Sequence, residues 1–366
     1  MSLFKSGKPK LKYYKAMKSL TGIIVLMALL PLLIFGKGEP SPVLRFNQDG
    51  KIKIVQFTDI HYLVDPYNRS DSALAMMKTV IAIEKPDLVV LTGDIVCSKN
   101  TAKGWMSLSK VFIDAKVPWA VTLGNHDTEK DLTGEQIMEI IADMPYCLTK
   151  NGPRNITGSG NYIIPVQSSK SGKTEALFYF FDSHSSFPLP ERKDFGTYEW
   201  IDFEQIQWYR KQSRKFTGKN SGQPIPSLAF FHIPLPEYKE VLEKGKITGI
   251  QEETVCSPLL NSGLFTAMLE SGDVMGMFVG HDHNNNYIGC LRNICLAYGN
   301  CSGRQCYGKI GKGARVIELY EGERKFDTWI LNLYECDHKK DIWIPTNDYE
   351  GKFFVTYPDS FNEKQE

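Results

Sequence analysis

The chain has 366 residues, of which 42% are hydrophobic and 23% are charged, and its formal net charge is +1. This is the composition of a globular protein that can bury a sizeable core, which argues against extensive disorder. A nearly neutral chain also gives no indication of a nucleic-acid binder, which usually carries a strongly basic face. We therefore expect no nucleic-acid partner.

The first 37 residues are predicted to be a signal peptide or a signal-anchor. A lysine-rich leader precedes an apolar run of sixteen residues at 20–35. This order is typical of a signal peptide, and the run is shorter than the ~20 residues that a membrane-spanning helix needs. It is nevertheless long for a signal peptide, and no small-residue cleavage site follows Phe35. Export by secretion or into a periplasm is the first expectation, and a membrane tether with the body outside the cytoplasm is the alternative.

From residue 51 the chain alternates strand and helix patterns. Three short apolar runs, at residues 51–58, 88–92 and 119–123, are typical of strands buried in a sheet. The segments between them, at residues 72–84 and 105–115, carry apolar residues at helical spacing. This order predicts two right-handed βαβ units in series.

The second half of the chain is richer in strands. Predicted strands lie at residues 161–166, 176–182, 227–232, 275–281, 294–298, 314–320 and 326–331. Predicted helices lie at residues 202–215 and 259–270. The fold class is therefore α/β, with two packed sheets flanked by helices. No break in composition divides the body, so we expect one domain at residues 45–335 and a tail at residues 336–366 without a clear period.

Four of the eight cysteines lie close together near the end of this body. Cys290, Cys295, Cys301 and Cys306 are spaced 5, 6 and 5 residues apart. This spacing lacks the C-x₂-C pairs of a structural zinc site. An exported chain can form disulfides, but the pairing cannot be deduced from sequence. A disulfide and buried thiols both remain open.

Polar side chains follow several predicted strands at the points where the strands end. Because the carboxyl ends of parallel strands meet at one crevice of an α/β sheet, we expect these groups to lie together. They are Asp59 and His61 after the first strand, Asp94 after the second, Asn125, His126 and Asp127 after the third, His232 after a later strand, and His281 and His283 after another. The two remaining histidines, His184 and His338, are interpreted as ordinary core or surface residues.

The spacing and the residue types indicate metal ions. Residues i and i+2 of an extended chain point to the same side, so Asp59 and His61 can reach one ion together. His281 and His283 have the same spacing and can straddle a pair of ions. Carboxylate, imidazole and amide groups suit zinc, iron or manganese rather than calcium. Asp94 is a carboxylate that can bridge two ions.

A bridged pair of ions predicts hydrolysis of phosphate esters. Two ions about 3.5–4 Å apart bind a phosphoryl oxygen and lower the pKa of a bound water, which then attacks phosphorus in line as hydroxide. His126 is predicted to be the general acid that protonates the departing oxygen. Asp127 is predicted to orient and charge His126 through a hydrogen bond.

The order D-x-H, G-D, G-N-H-D, H, G-H-x-H resembles the calcineurin-like metallophosphoesterase superfamily, and the surrounding sequence resembles its small purple-acid-phosphatase-like branch. The resemblance covers about residues 50–320. Five ordered blocks are a specific signal, although any one of them alone would not be. The resemblance implies a four-layer α/β/β/α sandwich of two mixed sheets flanked by helices, with residues 45–335 as the catalytic domain.

The same resemblance implies which side chains bind each ion. Carried over residue by residue, one ion is bound by Asp59, His61, Asp94 and His283, and the other by Asp94, Asn125, His232 and His281.

The chain departs from true purple acid phosphatases at two positions. Those enzymes have a G-D-x-x-Y motif whose tyrosine binds ferric iron, and here Cys97 occupies the matching position. They also have glycine where this chain has His61. These changes argue against a purple, tyrosinate-bound site and leave iron, zinc and manganese open. Cys97 is interpreted as a buried thiol near the site.

The expected activity is a phosphomonoesterase that acts on a phosphorylated small molecule. A phosphodiesterase acting on nucleotides or lipid headgroups uses the same pair of ions and is the nearest alternative. Two non-enzymatic alternatives are an inactive homologue that binds a phosphorylated ligand and a membrane-tethered scaffold.

Overall fold

The computed structural model describes residues 42–64, 70–189, 191–337, 340, 342–346 and 355–357. The predicted signal peptide or anchor and His338 lie outside these residues. Among the helices of the described part, none is both long enough and apolar enough to cross a membrane.

The first sheet has seven strands and is mixed. Three neighbouring strands in its centre and at one edge run parallel, and the others join them antiparallel. In spatial order the strands are β13 (Ile342–Pro345), β12 (Phe326–Asp337), β11 (Lys312–Tyr320), β1 (Lys51–Phe57), β2 (Leu88–Thr92) and β3 (Trp119–Thr122), with β14 (Val355–Tyr357) also paired to β12. All five residues of β2 are buried, as expected for a parallel strand that is covered on both faces.

The second sheet is also mixed and has seven strands. Four parallel strands form its middle, and antiparallel strands extend it on both sides. Their spatial order is β4 (Tyr162–Gln167), β5 (Thr174–Phe180), β6 (Ser227–Phe230), β8 (Val274–Val279), β10 (Ile294–Tyr298), β9 (Ile288–Leu291) and β7 (Ile247–Thr248).

Among the described residues, six α-helices cover the outer faces of the two sheets. Helices α1 (Asp71–Glu84), α2 (Thr101–Ala115) and α3 (Gly134–Ala142) share a buried apolar cluster with the first sheet. Helices α4 (Phe203–Lys219), α5 (Glu237–Lys244) and α6 (Leu264–Ser271) share another with the second sheet. A third cluster lies between the sheets and contains residues of both, such as Ile54 and Phe230. The predicted α/β/β/α sandwich is confirmed.

Several elements were not predicted from the sequence. Helices α3 and α5 are short, and the only local signal for α3 is the capping box in which Thr133 and Gln136 bond each other's backbone N–H groups. Strands β13 and β14 have no alternating pattern of their own and exist as partners of β12, which runs on to Asp337. The first sheet therefore continues beyond residue 335, into the predicted tail without a clear period.

The cysteines near the second sheet are divided between a disulfide and thiols. Cys290 and Cys295 form a disulfide across the β9–β10 hairpin, where they face each other in register. Within the described residues the other six cysteines are free. Cys301 is buried and Cys306 is partly buried.

Candidate metal centre

The structure brings the predicted ligand side chains together at one end of both sheets. Asp59 and His61 follow β1, Asp94 follows β2 and Asn125 follows β3, all in the first sheet. The second sheet contributes His232 after β6, and His281 and His283 after β8. These are the carboxyl ends of parallel strands, which is why residues so distant in sequence meet.

Several of these residues have an unusual backbone conformation. Asp59, His61, Asp94 and His281 have φ values of 52°, 48°, 53° and 81°, in the left-handed region that L-residues avoid. Each such residue costs roughly 1–2 kcal/mol. Hydrogen bonds between neighbouring strand ends hold two of them, from Asp59 N to Gly93 O (3.1 Å) and from His61 N to Asp94 O (2.9 Å). Strain of this kind concentrates at functional sites.

Glycines in the motifs allow the loops to approach one another. A Cβ atom on Gly280 would lie 1.9 Å from Thr58 Oγ1 and 2.8 Å from Asp59 Oδ2. A Cβ atom on Gly124 would lie 2.3 Å from Asp94 Oδ1. Both distances are far below van der Waals contact, so a larger residue at either position would displace a carboxylate of the site.

The ligand atoms form two groups that share Asp94. In the first group, atoms of Asp59, His61, Asp94 and His283 lie within 4.8 Å of one another. In the second group, atoms of Asp94, His232 and His281 meet the same limit. Asp94 Oδ2 is 3.6 Å from His61 Nε2 and 3.3 Å from His232 Nε2, so one carboxylate oxygen faces both groups. Asn125 Oδ1 joins the second group at 3.2 Å from His232 Nε2.

The protonation states of two imidazoles suit metal binding. Burial lowers the pKa of His61 to about 4 and that of His281 to about 3, so both rings are neutral at neutral pH, as a metal ligand must be. In the part of the chain that is described, His61 Nε2 is buried and has no hydrogen-bond partner. A buried, neutral nitrogen left unpaired beside a carboxylate fits a metal ligand better than a structural histidine.

The other two imidazoles are oriented by backbone carbonyls. His232 Nδ1 contacts Thr92 O at 2.8 Å, and His283 Nδ1 contacts Tyr307 O at 3.1 Å. These contacts leave each Nε2 for the centre, as outer hydrogen bonds do for ligating histidines. Although burial opposes it, the nearby carboxylates raise the pKa of both rings to about 9. A pKa of about 9 means that each ring carries a proton at neutral pH when no metal is bound. Because His232 lies against Asp94 and His283 against Asp59, a metal cation would take the place of that proton. The donor set therefore fits two metal ions.

The structure corrects the predicted role of Asp127. Its carboxylate is buried and accepts backbone hydrogen bonds from Ile95, Val96 and Gly124, each at 2.9 Å. Asp127 therefore ties the loop after β2 to the loop after β3, and both of its oxygens are occupied. The carboxylate beside His126 is instead Glu129, whose Oε1 is 2.8 Å from His126 Nδ1.

Cys97 is a partly buried thiol near the centre. Burial, reinforced by the charges of Asp127 and Asp94, raises the pKa of Cys97 far above its usual range, so the thiol stays protonated. None of the metal-ligating groups found among the described residues includes Cys97.

A cavity of about 270 Å³ opens onto the two ligand groups. Two tyrosines in its wall contact predicted ligands, with the Tyr198 ring edge-on to His281 (centroids 4.7 Å apart) and the Tyr307 ring stacked on His283 (4.0 Å). His126 also lines the cavity. No motif in the sequence points to either tyrosine, whereas Glu129 was detectable three residues after His126. His184 lies outside the ligand groups and bonds Gln205 Oε1 at 2.8 Å.

Comparison with known proteins places these features in a family context. The profile described as "Calcineurin-like phosphoesterase" matches residues 52–285. "Probable inactive purple acid phosphatase 29" of Arabidopsis thaliana is 33% identical over 320 residues, which cover 78% of this chain and 81% of that protein. "Phosphatase DCR2" of Saccharomyces cerevisiae is 36% identical over 327 residues, which cover 78% of this chain and 54% of that protein.

A solved structure supports the fold independently of sequence. The crystal structure of a dimetal phosphatase from Danio rerio superposes on this chain with a TM-score of 0.54. It covers 84% of this chain and 99% of that one at 12% sequence identity, so the likeness concerns the fold alone.

Proposed function

This chain belongs to the calcineurin-like phosphoesterase family, and we propose that it is an active phosphomonoesterase. The family is one of hydrolases that use a dinuclear metal centre on phosphorylated substrates. Its relatives include a protein named as a phosphatase and others named as probably inactive. Whether this chain is active therefore depends on its own residues.

The observation that carries the proposal is the grouping of six ligand side chains around a seventh, Asp94, at the wall of a cavity. The donors are carboxylate, imidazole and amide groups, which suit iron, zinc or manganese. Two ions held by them would supply Lewis-acid stabilisation of the phosphoryl oxygens and an activated water. The presence of all seven predicted ligands, together with His126 at the cavity wall, supports an active enzyme.

His126 is the proposed general acid. Its Nδ1 is held by Glu129, so Nε2 is the nitrogen left to exchange a proton with the leaving oxygen of a substrate in the cavity. General acids of this kind contribute roughly 10²–10⁴-fold to rate. Glu129 acts through His126 and is a positioning residue.

The lining of the cavity supports a substrate with one phosphate group, as a monoester or a diester, over a substrate with several phosphate groups. No lysine or arginine is found among the described residues that line it. A second phosphate would therefore lack a cationic partner once the first had engaged the centre. The rings of Tyr198 and Tyr307 provide apolar surface for the leaving group.

Parallel rates on two chromogenic substrates test the proposal. Protein loaded in turn with zinc, manganese and iron should hydrolyse p-nitrophenyl phosphate faster than bis-p-nitrophenyl phosphate. A clear preference for the diester would replace this proposal with a phosphodiesterase. Tight phosphate binding without turnover on a broad panel of phosphate esters would identify an inactive phospho-ligand-binding homologue.

We also propose that the body of the chain lies outside the cytoplasm. A lysine-rich leader followed by an apolar run at residues 20–35 supports export. The Cys290–Cys295 disulfide supports it too, because disulfides persist mainly in oxidising compartments. The N-terminal sequence of protein recovered from cells separates the two forms, since cleavage gives a mature end beyond residue 35 and an anchor gives an intact leader in the membrane fraction. An intact chain in the cytosolic fraction would contradict both the exported form and the membrane-anchored form.

A further inference from the structure

Two free thiols and a lysine lie directly beside the predicted metal centre. The sulfurs of Cys301 and Cys306 and a ring nitrogen of His283 lie within 4.8 Å of one another. Lys312 Nζ donates to both sulfurs, at 3.2 Å to Cys301 and 3.3 Å to Cys306. Neither cysteine takes part in the proposed hydrolysis. Their closeness therefore needs an explanation of its own.

The segment at residues 301–307 supports two predicted ligands of the same ion. At its start, residues 302 and 303 donate backbone hydrogen bonds to Thr58 O (2.9 Å) and Asp59 O (3.0 Å). At its end, Tyr307 O contacts His283 Nδ1 at 3.1 Å, and the Tyr307 ring stacks on the His283 ring. A shift of this segment would therefore change the positions of Asp59 and His283.

The two ends of the segment differ in how far they can move. Cys301 is buried, and a Cβ atom on Gly303 would lie only 2.2 Å from Ile60 O, so this end is tightly packed. Cys306 lines the cavity, and Tyr307 is 58% exposed. Any approach of the two sulfurs would therefore move Cys306 and Tyr307 rather than Cys301.

We propose that Cys301 and Cys306 form a reversible disulfide that controls the binding of an ion by the predicted ligands Asp59, His61, Asp94 and His283. The proposal rests on the metal centre of the proposed function. Closing the bond brings the sulfurs to about 2 Å and draws Tyr307 away from His283. Loss of such an outer hydrogen bond lowers metal affinity by about 10–100-fold. The dithiol form is then the fully metallated state, and the disulfide form loses the first ion.

The oxidant is a small disulfide such as glutathione disulfide. The Cys306 thiolate attacks one of its sulfurs, forms a mixed disulfide and expels one glutathione thiolate. The Cys301 sulfur then attacks Cys306, which forms the Cys301–Cys306 bond and expels the second glutathione thiolate. The two protein thiols give up two electrons to the reagent, and their two protons end on the released glutathione. Cys306 is the first nucleophile because it lines the cavity and the ammonium of Lys312 lies against its sulfur.

The test compares full-length protein treated with glutathione disulfide or with dithiothreitol and then equilibrated with limiting zinc. Peptide mapping should find a Cys301–Cys306 cross-link only after oxidation. Affinity for one of two zinc ions should fall about 10–100-fold, together with the hydrolysis of p-nitrophenyl phosphate, and dithiothreitol should restore both. Cys306→Ser should resist the oxidant, whereas Cys336→Ser, which alters an exposed free cysteine of β12, should respond like the wild type.

Each part of the proposal can fail separately. Absence of the cross-link at equilibrium with glutathione disulfide would refute the modification site. A cross-link that leaves zinc affinity unchanged would refute the control of the ion. Loss of zinc from reduced Cys306→Ser would make the thiols metal ligands instead and overturn the switch. If the cross-link forms and zinc is lost but no ester is hydrolysed in either state, the inference stands and the proposed phosphatase activity fails.

Discussion

At the scale of single residues, Asp94 is the centre of the site. One of its oxygens faces His61 and His232, and the other accepts a hydrogen bond from the backbone N–H of His126 at 2.8 Å. The carboxylate therefore joins both ligand groups to the loop that carries the proposed general acid. Replacing Asp94 therefore affects the first ligand group, the second ligand group and the loop of His126 at once.

Asp94→Asn should lose metal and activity together. An amide cannot provide the negative charge that two cations share, so we expect zinc content to fall from two ions toward none. The rate should fall by roughly 10²–10³-fold, as for removal of a key electrostatic group. Elemental analysis and p-nitrophenyl phosphate hydrolysis measure the two effects. Asp273→Asn is the matched control, because Asp273 is equally buried but lies before β8, at the opposite end from His281. Full occupancy and rate in Asp94→Asn would contradict the bridging role.

Glu129→Gln tests the partner that the structure assigns to His126. The variant keeps the side-chain shape but weakens the 2.8 Å contact to Nδ1, so we expect roughly tenfold slower hydrolysis with two zinc ions still bound. The loss should be larger for alkyl than for p-nitrophenyl leaving groups, because poor leaving groups need more protonation. Glu135→Gln, an exposed residue in the first turn of α3, should have the wild-type rate. An equal loss for all leaving groups would argue against general-acid catalysis through His126.

At the scale of elements, the site depends on how closely the loops after the strands approach. The loop after β8 lies against the loop after β1, where His281 N donates to the carboxylate of Asp59. This contact crosses from one sheet to the other and requires a residue without a side chain at position 280. The site places fewer demands on the sequence of the surrounding helices, because their capping and packing involve mainly nearby residues.

Gly280→Ala should damage the site more than the fold. The added methyl group would lie 1.9 Å from Thr58 Oγ1 and 2.8 Å from Asp59 Oδ2, so Asp59 must move. Overpacking of this kind costs about 1–3 kcal/mol, which thermal unfolding would measure, and zinc titration should show weaker binding of one ion. Gly218→Ala, in α4 where the new methyl group meets nothing within 4 Å, should leave zinc binding unchanged and should not lower stability. Normal zinc affinity in Gly280→Ala would show that zinc binding does not need the close contact between the loops after β8 and β1.

At the scale of the whole molecule, the centre joins the two sheets. Asp59, His61, Asp94 and Asn125 follow strands of the first sheet, whereas His232, His281 and His283 follow strands of the second. Metal ions held between them would cross-link the two halves of the sandwich. Binding should therefore stabilise the entire fold rather than one loop.

Removal of metal should lower the melting temperature. A ligand present at 100 times its Kd stabilises the native state by about 2.7 kcal/mol, which corresponds to roughly 4 °C for a domain of this size. Differential scanning calorimetry with and without a chelator measures the shift, and added zinc should reverse it. Asp94→Asn protein should respond little to the chelator. An unchanged melting temperature in protein shown to have lost its metal would contradict the idea that the metal ions connect the two sheets.

The fold class and the placement of the predicted ligands at strand ends could be predicted from the amino-acid sequence. Buried parallel strands have short apolar runs, as at β2, and the polar residues that follow them mark their ends. Family resemblance then predicted the seven ligand side chains, which the fold brings together. The order of most strands along the chain and the boundaries of α1 were also predicted. The spacing of apolar residues and the residues that end a helix are both local signals.

Which polar groups meet depends on the packing of the loops, and the sequence did not predict it. Asp127 and Glu129 both lie near His126 in sequence, but the loop geometry turns Asp127 toward three backbone N–H groups and leaves Glu129 beside the ring. Likewise, β13 and β14 exist only because the edge of β12 offers unpaired backbone groups. The pairing of Cys290 with Cys295, and the meeting of Cys301 and Cys306 with Lys312, follow from strand register and loop packing. Such contacts depend on distances across the fold, and no local pattern in the chain encodes them.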